Sequence, residues 1–92
     1  MTTLTDEDIK KIAEGVAVAN NIPFQTISTT ATLDSTGFPA VEVTISIVPG
    51  AASFDIFKDG RSSRMVSEVV REVADKGEER LPIVHFEGKR AP

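Results

Sequence analysis

The sequence predicts a two-layer α+β sandwich with the order α-β-β-α-β, a three-stranded mixed sheet and both helices on one face. Three observations predict it. From Ala40 to Val48, the apolar residues Val41, Val43, Ile45 and Ile47 alternate with Glu42, Thr44 and Ser46, the period-two pattern of a strand with one buried face. Residues 5–20 and 62–76 instead repeat their apolar residues at helical spacing. The second of these helices lies between two strand-like segments, which implies a right-handed crossover joining parallel strands.

The first helix has a well-specified start. Thr5 is a good N-cap residue, with Asp8 three positions on as a variant of the capping box, and Leu4 and Ile9 have the spacing of a hydrophobic staple. Asp6, Glu7 and Asp8 place negative charge at the positive end of the helix dipole; as consecutive residues they diverge around the axis and converge poorly on a metal. Ile9, Ile12, Ala13, Val16 and Ala19 or Asn20 form the apolar stripe, and Gly15 is expected to permit close packing on the sheet. Asn20-Asn21 offers a left-handed stop, and Pro23 prevents continuation.

Residues 24–33 form a strand rich in Thr and Ile. Asp34-Ser35-Thr36-Gly37-Phe38-Pro39 is turn chemistry leading into a strand at 40–48. The two should make an antiparallel hairpin with Leu33 opposite Val41, Ala31 opposite Val43, Thr29 opposite Ile45 and Ile27 opposite Ile47. That register puts the apolar sets on one face and Thr26, Ser28, Thr30, Thr32, Glu42, Thr44 and Ser46 on the other.

Residues 51–58 are expected to be a loop or a single turn, with Phe54 and Phe57 as candidate partner contacts if exposed. In the second helix Met65, Val66, Val69, Val70, Val73 and Ala74 make the buried stripe, and Gly77 is a natural stop. Asp75, Glu78 and Glu79 look like a solvated turn. The third strand spans 82–86, and residues 87–92, without a core side chain, read as a mobile tail.

A chain of 92 residues makes one domain with one modest core. It contains no Cys, which removes disulfides, thiolate catalysis and Cys-ligated metals, and it carries neither a secretory-type start nor a membrane-length apolar run. A cytoplasmic location is the expectation. Its net charge of −4 disfavours nucleic-acid partners, whose non-specific affinity comes from cations neutralising phosphates.

Chemistry-bearing residues are few. Lys58, Gly60, Arg61, Ser62, Ser63 and Arg64 enter a helix with cations, hydroxyls and open backbone N–H groups, a pattern that suits a phosphate or carboxylate. The simpler expectation is that Asp59 or Ser62 caps the helix and the cations are solvated. No Walker or dinucleotide glycine pattern occurs, and no ligand spacing suggests a metal, so no cofactor is expected. His85, the one His, stands in an apolar strand with no nucleophile nominated beside it. The element order resembles that of KH-type nucleic-acid-binding domains and of BolA-like proteins. The resemblance stops at the order, because the Gly-x-x-Gly loop of the first and the Cys used by the second are absent.

Three functional readings follow. The first is a small binding protein acting as a homodimer through the open sheet edge and the hydroxyl-rich face, with Thr26, Ser28, Thr30, Thr44, Ser46, Phe54 and Phe57 as interface residues. The second is anion or nucleic-acid-backbone binding at Lys58 to Arg64, and the third is an enzyme using His85.

Overall fold

The computed structural model describes residues 4–48 and 55–88. Helix α1 (Asp6–Ala19) starts at a closed capping box. The Thr5 hydroxyl accepts from the Asp8 N–H at 3.1 Å, and the Asp8 carboxylate accepts from the Thr5 N–H at 3.1 Å. The helix ends at Asn20, and Asn21 takes the expected left-handed conformation at φ 56°. Its buried residues are Ile9, Ala13, Val16 and Ala17. The stripe thus leans toward Ala17, and Ala19 is exposed. Gly15 is exposed too, with nothing within 4 Å of where a Cβ would sit. It faces away from the sheet, contrary to the close-packing expectation.

Strands β1 (Phe24–Leu33) and β2 (Pro39–Ile47) form the antiparallel hairpin, and β3 (Leu81–Gly88) pairs in parallel with β2, giving the order β1-β2-β3. The hairpin register differs from expectation by two residues: Leu33 pairs with Pro39, Ala31 with Val41, Thr29 with Val43 and Ile27 with Ile45. The cause is the turn. One carboxylate oxygen of Asp34 accepts from the Thr36 N–H at 2.8 Å, the Thr36 hydroxyl at 2.7 Å and the Phe38 N–H at 3.0 Å. Gly37 supplies φ 90°, and the Asp34 N–H donates to the Phe38 carbonyl at 2.8 Å. This tight closure recruits Pro39 into the ladder. A two-residue displacement keeps every side chain on its face, so the apolar pattern was satisfied by either register. A bulge between Phe24 and Thr26 then turns Phe24 toward the core.

A four-residue helix, α2 (Asp55–Lys58), precedes α3 (Arg61–Asp75). The single turn of α2 carries the fully buried Ile56; Phe54, with the rest of 49–54, lies outside the described residues. Met65, Val69 and Val73 of α3 are buried and Val66 and Val70 half-buried, but Ala74 is exposed, because it lies about 100° around the helix from Val73, outside the stripe that faces the core. Gly77 adopts φ 89° as the helix stops. Strand β3 extends to Gly88, with Glu87 paired to Ser46 and Gly88 to Ile47. Glu87 and Gly88 are therefore strand rather than tail, since backbone pairing along β2 needs no apolar side chain; residues 89–92 lie outside the described residues.

One cluster unites Ile9, Ala13 and Val16 of α1, Val41, Val43, Ile45 and Ile47 of β2, Ile56 of α2, and Met65, Val69 and Val73 of α3. Helices α1 and α3 touch each other and the sheet. Each fully buried Val or Ile contributes roughly 1.5–3 kcal/mol relative to exposure. The helices do not cover the hairpin end. Ala31 and Leu33, on the apolar parity of β1, are exposed, Leu33 by 64%.

Candidate functional site

The cationic helix start is organised by Asp59. Gly60 sits at the N-cap of α3 in a left-handed conformation, φ 87°, and has no side chain to cap with. Asp59 does that work from one residue earlier, accepting the Arg61 N–H at 3.1 Å and the Arg61 Nε–H at 2.8 Å. Desolvation pushes the Asp59 carboxyl up, but these two bonds and the Arg61 charge outweigh it and hold the group below the usual carboxylate range. Arg61 also donates to the Asn21 carbonyl at 2.6 Å, which ties the start of α3 to the end of α1. Ser62 is half-buried, whereas Lys58, Ser63 and Arg64 are exposed, with Arg64 lying back over Gly60. Of the cations nominated by the sequence, Arg61 is thus engaged in the fold's own contacts, and Lys58 and Arg64 face solvent.

The open side of the sheet assembles residues from three segments. Ser28, Thr44 and His85 lie side by side across β1, β2 and β3; the next rows are Thr30, Glu42 and Ile83, and Thr26, Ser46 and Glu87. Thr26, Ser28, Thr30 and His85 are exposed, and Thr44 and Ser46, on the central strand, are half-buried. The juxtaposition of His85 with Thr44 depends on the parallel register of β2 and β3, which no local pattern reveals. Adjacent strands lie about 4.8 Å apart, so Ser28 is roughly two spacings from His85, beyond hydrogen-bond reach. Thr44 is the hydroxyl on the neighbouring strand. Phe57 is half exposed, and its ring meets that of Phe86 edge-to-face at 5.6 Å and 88°, which fixes it to the fold rather than leaving it free.

Sequence reading missed the turn before β3. Glu78 is buried, not solvated: its side chain is only 3% exposed and receives the Arg80 guanidinium at 2.9 Å and the Arg80 N–H at 3.1 Å. The Arg80 side-chain bond, first of all, draws the Glu78 carboxyl below its ordinary value, and Glu78 in turn raises the Arg80 guanidinium. Arg80 also donates to the Leu4 carbonyl at 2.9 Å and to Asp6 at 3.4 Å, while its buried Nε has no hydrogen-bond partner among the described residues. The available signal was two acids followed by a base, Glu78-Glu79-Arg80, just before a strand, which is not distinctive.

This clamp floors a concavity of about 460 Å³ between the hairpin turn (Asp34, Phe38, Pro39) and Glu78 to Leu81. Its lining mixes the apolar Phe38, Pro39 and Leu81, with Phe38 69% exposed, and the charged Asp34, Glu78, Glu79 and Arg80; Arg80 is held by Glu78 and Asp6. Asp34 is likewise committed, its carboxyl lowered chiefly by the Thr36 hydroxyl. Neither this concavity nor the smaller one along Leu4, Asp8, Lys11, Ile12 and Lys76 includes His85 or Thr44. Among the described residues no three His, Cys, Asp or Glu side chains gather as a metal ion would require, and no helix is long and apolar enough to cross a membrane. Compared with protein-family models, with curated proteins and with solved structures, the chain matches none.

Proposed function

We propose that this chain is a small cytosolic binding module that acts as a homodimer through the part of the sheet its helices leave bare. One observation carries the reading. Both long helices pack into a single cluster on one side of a three-stranded sheet, so the opposite side and the outer margin of β1 have no cover among the described residues. A sheet bounded in this way presents backbone groups and hydroxyls to a partner. The nominated chemical groups support binding: His85 stands exposed on the open side of the sheet beside the hydroxyl of Thr44, and neither of the two concavities described above includes it. The helix start at Arg61 is the weaker candidate, because Asp59 already supplies the negative charge that this helix start attracts.

Size-exclusion chromatography with light scattering over a wide concentration range tests the reading. A dimer mass is the expected result. A strict monomer at the highest concentration would remove it.

A further inference from the structure

We propose that two copies of this chain join along β1, antiparallel and about a two-fold axis at Thr30, merging two three-stranded sheets into one of six strands. The inference rests on the homodimer reading above and names the surface that would make it.

The two margins of the sheet are not alike. β3 carries Pro82, His85 and Glu87, the kinds of residue that blunt an edge. β1, FQTISTTATL, has ten residues with no charge and no proline, in a chain that is 26% charged. Its outward backbone groups can be assigned. The Asp34 N–H points to β2, and antiparallel ladders alternate, so the even-numbered residues of β1 bond β2. Ile27, Thr29, Ala31 and Leu33 then turn their N–H and C=O groups outward. No strand among the described residues pairs with them.

The register follows from where the strand is regular. The bulge between Phe24 and Thr26 closes one end and the Asp34 turn the other, leaving Ile27 to Leu33 with Thr30 at the midpoint. Pairing about Thr30 sets Thr29 opposite Ala31 of the second copy, and Ile27 opposite Leu33 of the second copy. Outward residues then meet outward residues in about eight main-chain hydrogen bonds. The helix side of β1 fits the same arrangement. α1 covers Ile27 and bonds Thr29 through the Asp6 carbonyl at 3.1 Å, but stops short of Ala31 and Leu33. The two-fold axis brings the bare half of each strand beside the covered half of the other, staggers the two α1 helices, and places the exposed Leu33 next to an apolar neighbour.

Charge selects the occupant. An uncharged edge offers nothing to a phosphate backbone, and it lets two molecules of net charge −4 meet where neither carries charge. Joining the open faces instead would desolvate Glu42, His85 and a field of hydroxyls that water already satisfies.

The chain has no cysteine, so single replacements report geometry directly. Thr30→Cys puts two thiols at the axis in a non-hydrogen-bonded pair, with Cα atoms about 4.5 Å apart, inside the range a disulfide spans. Ser28→Cys places them on the same face but roughly 13 Å apart. Under mild oxidation Thr30→Cys should convert to a covalent dimer on a non-reducing gel, and Ser28→Cys should not. Ala31→Pro, which deletes an outward N–H, should turn the dimer into a monomer by light scattering with an unchanged circular dichroism spectrum. If the unaltered chain is a dimer but Ser28→Cys cross-links as well as Thr30→Cys does, or Ala31→Pro stays dimeric, the β1 join is wrong and the homodimer reading stands. If the unaltered chain is monomeric throughout, both fall.

Discussion

Gly15 is the residue most open to improvement. It sits in the interior of α1, is exposed, and meets nothing within 4 Å where a methyl would be added. Its backbone is not among those with positive φ, so alanine adopts the same conformation without strain. Gly15→Ala should stabilise the protein by about 1 kcal/mol, which for a domain of this size raises Tm by roughly 4–8 °C. Thermal unfolding followed at 222 nm measures it, and an unchanged or lower Tm would mean that the glycine serves a contact made only in an assembly. The sequence marked this glycine as anomalous but assigned it the wrong surroundings, because the face on which a residue lies depends on the helix's rotation over the sheet.

At the scale of elements, Arg80 is the tie between the beginning of the chain and the beginning of β3. Its guanidinium holds the Leu4 carbonyl, Asp6 and Glu78 at once, while the carboxylate of Glu78 is almost wholly buried and Arg80 itself is 20% exposed. Arg80→Met keeps the apolar stem but strands the Glu78 charge. The expected cost is roughly 3 kcal/mol, the lower end for a broken buried pair, since solvent reaches part of the arginine. Adding Glu78→Gln should recover part of that loss, because no buried charge remains. Urea unfolding of the three variants decides it; equal stability of the single and double variants would show that the pair does not act as a unit. The start of α1 and the stops of α1 and α3 were legible in sequence because Thr5, Asp8, Asn21 and Gly77 act on backbone groups a few residues away. The clamp was not, because Arg80 finds partners 74 and 76 residues away.

For the molecule as a whole, acid is the relevant stress. Asp8, Asp34, Asp59 and Glu78 all titrate below their ordinary values in the fold. The backbone N–H of Thr5 is the main cause at Asp8, the Thr36 hydroxyl at Asp34, the Arg61 N–H over an opposing desolvation at Asp59, and the Arg80 side chain at Glu78. A depressed carboxylate stabilises the fold fully above its unfolded value and ceases to do so as pH falls through its folded value. Stability should therefore be level above about pH 5, decline once the pH passes below the ordinary values of 4.5 for Glu78 and 3.8 for the aspartates, and keep falling below them. Relief of the net negative charge near the pI of 4.9 opposes this only weakly, since exposed charges are screened. Urea midpoints at pH 7, 5, 4 and 3 test the sign, and a midpoint that does not move between pH 5 and pH 3 would contradict it.

Legible in the sequence were the order of the three strands and two long helices, the start of α1, the stops of α1 and α3, the apolar side of β2 and the placement of both long helices on it. Each follows from a period or from a cap acting within one turn, and local physics suffices for these. Long-range contacts set the hairpin register, the row of Ser28, Thr44 and His85, the burial of Glu78 and, among the described residues, the place of β1 at the edge of the sheet. A two-residue shift leaves the apolar faces unchanged, so alternation alone is blind to it, and the Asp34 turn had to choose. Which strands end up as edges, and which charge is buried, depends on contacts between segments far apart in the chain.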